Sequence, residues 1–255
     1  MKALILSDLH LYFWHQQSEL NNYKNIISKI TSKDFDCVII CGDIFEYDFV
    51  GLSNNPYKLL SELLNVNCPI ICCLGNHEYA YSTIDEVHSW FNSFTERYNV
   101  HILDIEGHYT YNGFNFVGNV FWYDNTLTSF PFAKPDKIVS NWLDSSIKNF
   151  IPSIENAICK KQILDNLSVD YPNILITHTV PHWRLNWFSI NQPKSIYNQY
   201  SGCKDFLQEL NNVKWSFCGH THKRISDTIH NINCLNIGND YLRQYNEILY
   251  EIVEL

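Results

Sequence analysis

Apolar runs of strand length recur along this chain, and each ends in a short polar cluster. Lys2-Ala3-Leu4-Ile5-Leu6 leads to Asp8-Leu9-His10, Cys37-Val38-Ile39-Ile40-Cys41 to Gly42-Asp43, and Pro69-Ile70-Ile71-Cys72-Cys73-Leu74 to Gly75-Asn76-His77-Glu78. Unbroken apolar runs, as opposed to alternating ones, belong to strands covered on both faces by helices, as in a parallel sheet. Further along, Asn173-Ile174-Leu175-Ile176 runs into Thr177-His178, and Val213-Lys214-Trp215-Ser216-Phe217-Cys218 into Gly219-His220-Thr221-His222. Ligands of an open α/β sheet bind outside the carboxyl ends of its strands, so the clusters are expected to converge on one site. Asp8 and His10 are two apart and in extended backbone point to the same side, so both can reach one ion.

Between the early strands the pattern turns helical. Leu20, Tyr23, Ile26, Ile27 and Ile30 recur at spacings of three and four within Glu19 to Ile30, and Leu59, Leu60, Leu63 and Leu64 within Tyr57 to Leu64. Both read as crossover helices. A third helix is predicted from Thr83 to about Tyr98, capped by Ser82 or Thr83, with Ile84, Val87, Trp90, Phe91 and Phe94 on the buried face. After Cys218, the short β-rich runs Arg224 to Ile229, Cys234 to Ile237 and Glu247 to Val253 predict a second, more antiparallel sheet.

With 255 residues, 45% of them hydrophobic, and no linker-like stretch, a single domain over 1–255 is expected. The segment 121–152 lacks a clear period and carries Trp122, Tyr123, Phe130, Phe132 and Trp142, which reads as an insertion or lid near the site. The nine cysteines lack paired Cys-x-x-Cys spacing, and Cys37, Cys41, Cys72, Cys73 and Cys218 sit inside strand runs as small apolar side chains. With no signal-peptide pattern and no membrane-length apolar stretch, a cytoplasmic protein without a membrane partner is expected. A net charge of −9 argues against non-specific nucleic-acid binding and leaves small phosphorylated substrates open.

The polar clusters together supply two aspartates, an asparagine and four histidines, with His77 left over. That is the inventory for two metal ions sharing one carboxylate. Oxygen and nitrogen donors without sulfur suit Mn, Fe, Zn, Co or Ni more than copper(I) or an iron–sulfur centre. The ordered motifs Asp-x-His, Gly-Asp, Gly-Asn-His-Glu, His and Gly-His-x-His, from Asp8 to His222, resemble those of the calcineurin-like metallophosphoesterase superfamily.

The resemblance implies an α/β fold, a four-layer αββα sandwich of two mixed β-sheets flanked by helices. It implies one metal on Asp8, His10, Asp43 and His222, and another on Asp43, Asn76, His178 and His220, with Asp43 as the bridge. The implied activity is metal-dependent hydrolysis of a phosphoric ester by a metal-bridging hydroxide, with manganese, or an Fe/Zn pair, as cofactor. His77, adjacent to a ligand but assigned no metal, is left to protonate the leaving group or bind a phosphate oxygen; superfamily scaffolds resemble this pattern with that histidine or a ligand missing.

Each residue also has a plainer reading. Asp8 and Asp43 at strand ends would serve equally as turn or capping carboxylates, Asn76 as a turn residue, and each histidine alone as a hydrogen-bonded structural group; the combination favours ligation. Glu78 either orients a neighbour of the ligands or is solvated. His15, His88, His101, His108 and His230 lack partner motifs and read as surface or capping residues. His182 follows His178 by four, but Pro181 prevents a shared helical face. Phe45, Tyr47, Tyr79, Tyr81, Trp183 and Trp187 follow the clusters and are candidates either for packing or for stacking a planar substrate group. Arg184 is the best-placed cation, either clamping a second phosphate or a phosphodiester arm bidentately or serving as a surface arginine, and Asn76 joins it as a candidate substrate-binding residue. The substrate is expected to be small and phosphorylated, a nucleotide among the candidates. A phosphodiesterase or nuclease with the same metal centre, and a metal-holding interaction module, are the rival functions; an intact His77 counts against the module.

Overall fold

The computed structural model describes residues 1–10, 28, 33–45, 66–127, 136–192, 194–239 and 249–255. The crossover helices expected over Glu19 to Ile30 and Tyr57 to Leu64 lie outside these residues. The strand-length runs form β1 (Lys2–Leu6), β2 (Cys37–Cys41) and β3 (Ile70–Cys73), joined in parallel by β4 (Val100–Ile102). A second parallel set consists of β6 (Phe114–Asn119), β7 (Asn173–Thr177), β8 (Val213–Cys218) and β10 (Ile232–Asn236). Antiparallel strands complete both sheets. β5 (His108–Tyr111) pairs with β6, β9 (Ile225–Ile229) with β10, and β11 (Glu251–Glu254) with β1. The orders are β11-β1-β2-β3-β4 and β5-β6-β7-β8-β10-β9. Both sheets are therefore mixed.

The C-terminal runs do not form a sheet of their own. β9 and β10 extend the second sheet, while β11 returns to the free edge of β1, where the register Ala3↔Val253 turns Val253 into the same apolar layer as Ala3. Side-chain alternation explains the two cores. Ala3, Ile5, Ile39 and Cys73 from the first sheet meet Phe116, Ile174, Ile176 and Phe217 from the second, and the intervening residues Leu4, Val38, Cys72 and Leu175 face outward. Because each strand is apolar on both sides, its outer face must be covered too. The helices over Ile84–Tyr98 and Pro152–Asp165 supply part of that cover.

Asn76–Tyr79 form a single helical turn, α1, ahead of the predicted third helix, α2 (Ile84–Tyr98). Thr83 caps α2 as expected: its hydroxyl accepts from Glu86 N–H (3.2 Å), and the Glu86 carboxylate accepts from Thr83 N–H (2.9 Å). Val87 and Phe91 point into the core, and left-handed Asn99 (φ 51°) ends the helix. A short helix α3 (Leu103–Glu106) follows β4. Its Asp104 fastens the two sheets together. The buried carboxylate accepts from Leu74 N–H at the end of β3 (2.7 Å), from Val120 N–H after β6 (2.7 Å) and from the Tyr79 hydroxyl (3.2 Å). Helix α4 (Pro152–Asp165) opens with proline at its first position and buries Asn156, Cys159 and Ile163. The last α-helix among the described residues is the short α5 (Trp187–Asn191). No helix among the described residues is long and apolar enough to cross a membrane.

Asp104→Ala would strip two buried N–H groups of their acceptor and is expected to destabilise the fold by about 3 kcal/mol or more, at ~1–3 kcal/mol per orphaned buried group. Asp104→Asn keeps one acceptor oxygen and should lose less. Equilibrium denaturation of the three proteins checks this ordering; equal stability of Asp104→Ala and the parent contradicts the tie between the sheets.

Candidate functional site

The polar clusters occupy the loops that leave β1, β2, β3, β7 and β8. Backbone hydrogen bonds draw the first two loops together: Asp8 N–H donates to Gly42 C=O (3.0 Å) and His10 N–H to Asp43 C=O (2.9 Å). Gly219 N–H then donates to His178 C=O (3.0 Å), which ties the last loop to that of β7. Convergence forces unusual backbone. Asp8 (φ 51°), His10 (44°), Asp43 (48°), His220 (67°) and His222 (51°) all adopt the left-handed region. Non-glycine residues enter it seldom and at a cost, and such strain gathers where side chains are aimed for function. Gly42 (φ 78°) is needed for a second reason, because a Cβ there would lie 2.5 Å from the His178 ring.

Hydrogen bonds to carbonyl groups set the histidine tautomers. His178 Nδ1–H donates to Cys41 C=O (2.9 Å), His220 Nε2–H to Tyr200 C=O (2.9 Å), and His222 Nδ1–H to Asn239 C=O. In each ring the second nitrogen is thereby turned toward the cluster. Around one carboxylate oxygen, Asp43 Oδ2, lie His178 Nε2 at 3.3 Å, His10 Nε2 at 3.8 Å and His77 Nε2 at 3.8 Å. Asn76 turns its amide oxygen to His178 Nε2 (3.0 Å) because its amide nitrogen donates to buried Asp144 (2.8 Å). Donor atoms of Asp8, His10, Asp43 and His222 lie within 4.8 Å of one another, and so do those of Asp43, His178 and His220. Asp43 belongs to both groups. These oxygen and nitrogen donors fit two divalent ions sharing one carboxylate.

The charges balance within the cluster. Burial alone would raise the Asp43 carboxyl, but the imidazoles of His178, His77 and His10 outweigh it and hold the group well below the usual carboxylate range. Burial likewise opposes charge on His178, yet the Asp43 carboxylate lifts it to about 10. Burial and then the His178 charge push His220 down to about 3, and burial lowers His222. Glu78 is the residue whose role the sequence left open. It orients no histidine; its buried carboxylate accepts from the backbone N–H groups of Gly75 (2.6 Å), Phe45 (2.7 Å) and Asp43 (3.1 Å), and so shapes the loop that carries Asp43. Burial, then the Asp43 charge, push it up to about 8.

A cleft of about 430 Å³ opens beside the cluster. Asp43, Asn76, His77, His220 and His222 line one end; Trp142, Phe188, Tyr197 and Lys223 line the rest. Arg184 is not brought there: its guanidinium pairs with Asp227 at 2.7 Å, and among the described residues Lys223 is the cation that lines the cleft. The aromatics expected near the site are placed elsewhere too. Phe45 and Tyr79 are buried in the core, Tyr81 and Trp183 are exposed, Trp187 is half-buried away from the cleft lining, and Tyr47 lies outside the described residues. Of the segment 121–152, residues 128–135 lie outside the described residues. Trp122 and Tyr123 are core residues and Trp142 lines the cleft, whereas Phe130 and Phe132 lie outside the described residues.

Sequence reasoning missed Asp144, Phe188, Tyr197 and Lys223. Lys223 directly follows the last motif, a signal that was available, whereas Phe188 and Tyr197 reach the cleft from α5 and the following turn, which carry no motif. Of the other histidines, His88 bonds the Tyr79 hydroxyl (2.9 Å) and His101 pairs with Glu106 (3.0 Å). His182, Asp205 and His230 form a separate cluster. There His182 Nδ1 accepts from Arg184 N–H (3.1 Å), so a neutral ring carries its proton on Nε2, facing Asp205 at 3.8 Å. That tautomer donates a hydrogen bond and does not ligate a metal.

Comparison with known proteins gives the geometry a context. The family model described as calcineurin-like phosphoesterase matches residues 1–224. UDP-2,3-diacylglucosamine pyrophosphatase LpxG from Chlamydia muridarum (strain MoPn / Nigg) is 33% identical over 98 residues, which is 38% of this chain and 28% of that protein. The match therefore spans less than a third of the relative's length. Among solved structures, phosphopantetheinyl hydrolase PptH from Mycobacterium tuberculosis superposes with a TM-score of 0.67 at 16% identity, covering 96% of this chain and 91% of the other. A putative 5′-nucleotidase from Staphylococcus aureus gives 0.52 at 13% identity, covering 93% of this chain and 48% of that one. At these identities the superpositions speak to the fold, two mixed sheets flanked by helices.

Two glycines separate backbone strain from crowding. Gly113 (φ 81°) faces open space, so Gly113→Ala is expected to cost about 1–2 kcal/mol for the left-handed backbone alone. Gly42→Ala adds the collision with the His178 ring and should cost about 3 kcal/mol or more. Thermal or denaturant unfolding measures both; equal losses contradict the close packing of Gly42 against His178.

Proposed function

The chain belongs to the calcineurin-like phosphoesterase family, and on that premise we propose that it hydrolyses a small phosphorylated substrate with two divalent metal ions. The observation that carries this reading is the shared position of Asp43 between two groups of converging donors. Asp8, His10, Asp43 and His222 would hold one ion, and Asp43, Asn76, His178 and His220 the other. Manganese suits these donors, as does an Fe/Zn pair. When bound, two such ions supply electrophilic activation of the phosphoryl group and of the water that attacks it.

The chain's own residues do the rest. Hydrogen bonds from His178, His220 and His222 to main-chain carbonyls keep a nitrogen of each ring on the cluster, so the rings are already oriented toward the ions they would hold. His77 has its own fixed place: its N–H donates to Asp43 Oδ1 (3.0 Å), and its ring rests edge-on against His10 with centroids 4.6 Å apart. It lines the cleft, where its imidazole would protonate the leaving oxygen or hold a phosphate oxygen. Likeness to LpxG favours a second reading, cleavage of a phosphoanhydride, through the same residues. The cysteines that pack as small apolar side chains inside the strands favour a reducing compartment, and we place the protein in the cytoplasm.

Asp43→Asn should lower metal content at both positions, whereas His220→Ala should lower mainly one. Elemental analysis of purified variants reads this; two full equivalents in Asp43→Asn would sink the shared-ligand assignment. His77→Asn should retain metal and fold but lower kcat by about 10²–10⁴-fold on esters with poor leaving groups, and by less on activated aryl esters. Equal losses on both ester types would reassign His77 to phosphate binding.

A further inference from the structure

Trp142 is held more firmly than a cleft-lining tryptophan requires. Its ring stacks on buried Tyr200, with centroids 4.9 Å apart and planes 24° from parallel. Its indole N–H donates to Asp144 Oδ2 (2.9 Å), and the other oxygen of that fully buried carboxylate accepts from the Asn76 amide (2.8 Å). One carboxylate thus fixes both a candidate metal ligand and a ring of the cleft wall. Tyr197 lies 5.6 Å from Trp142 at 41°, and Phe188 lies 5.6 Å from Tyr197 at 44°. All three rings line the cleft, as do His77 and Asp43.

We infer that this wall is a binding subsite for a planar ring carried by the substrate, with Trp142 as its anchored stacking face. The inference rests on the hydrolase reading above for the position of the phosphate. Tyr200 backs the indole, and Trp142 itself is only half-buried and lines the cleft. A flexible acyl chain would need only apolar area. A wall built of three rings, one locked by stacking behind it and by a hydrogen bond at its edge, is pre-organised for another flat surface. The volume of about 430 Å³ accommodates a ring system together with a sugar and a phosphate at the metal end. Asp144 acts in this scheme as a positioning residue, setting the distance between the stacking face and the Asn76 side chain.

The test compares AMP with ribose 5-phosphate, which share the sugar and the ester but differ in the ring, using the full chain in manganese buffer. The wild type should show kcat/KM about tenfold or more higher for AMP, as base stacking on an aromatic side chain typically supplies. Trp142→Leu and Phe188→Leu should each shrink that ratio, Trp142→Leu to within about twofold. Calorimetry with adenosine and ribose, neither of which can be hydrolysed, reads the subsite without turnover: adenosine should bind and ribose should not, and Trp142→Leu should lose adenosine. Phosphate release from both esters with equal kcat/KM overturns the subsite and leaves the hydrolase reading standing. No hydrolysis of either ester, with adenosine binding that depends on Trp142, supports the subsite and overturns the reading of the enzyme as a hydrolase of these monoesters. Loss of both esters in equal proportion in Phe188→Leu and Trp142→Leu, or no adenosine binding by the wild type, overturns the subsite.

Discussion

The Asp43 carboxylate is the point on which the rest of the site depends. It is buried at the end of β2, its Oδ1 accepts the His77 N–H, and three imidazoles gather around its Oδ2. A lone carboxylate buried this deeply would be strongly disfavoured, so the arrangement is stable only as a set. The surroundings enforce the set. Glu78 grips the Asp43 loop through the N–H groups of Asp43 and Phe45 and its own loop through that of Gly75, Gly42 makes room for His178, and Asp104 holds the two sheets at the spacing that lets loops from both meet.

That dependence explains where the fold spends its strain. Five of the converging residues have left-handed backbone although none is glycine, and all five lie in loops that leave strands with fully buried ends. Such strands resist movement, so the loops take the distortion and the side chains are aimed without fraying the sheets. Asp144 carries the same logic into the cleft wall: a carboxylate pushed up by burial is kept because it satisfies both the Asn76 amide and the Trp142 indole.

Much of this was legible in the sequence, because continuous apolar runs have one efficient use. Cys37–Cys41 and Val213–Cys218 are strands with the predicted ends, and the Thr83 capping box marks where α2 begins. Other elements were hidden for physical reasons. Helix α4 buries Asn156, Cys159 and Ile163 while exposing Ile154, Ile158 and Leu164, so its apolar residues circle the helix and no single stripe stands out. The β5–β6 hairpin did carry a signal, Asn112-Gly113 with both φ values positive (48° and 81°), the requirement of a two-residue turn between twisted strands. Arg184 was misplaced because chain proximity to His178 says nothing about direction, and Asp227 claims its guanidinium. The cleft wall from Phe188 and Tyr197 was invisible for the same reason: it depends on how a motif-free segment folds back.

Anomalous diffraction from crystals grown with manganese tests the central claim most directly. The account predicts two peaks about 3.5–4 Å apart on either side of the Asp43 carboxylate, one beside Asp8, His10 and His222 and one beside Asn76, His178 and His220. A single ion that Asp43 does not touch, or manganese at His182, Asp205 and His230 with none at Asp43, would contradict it.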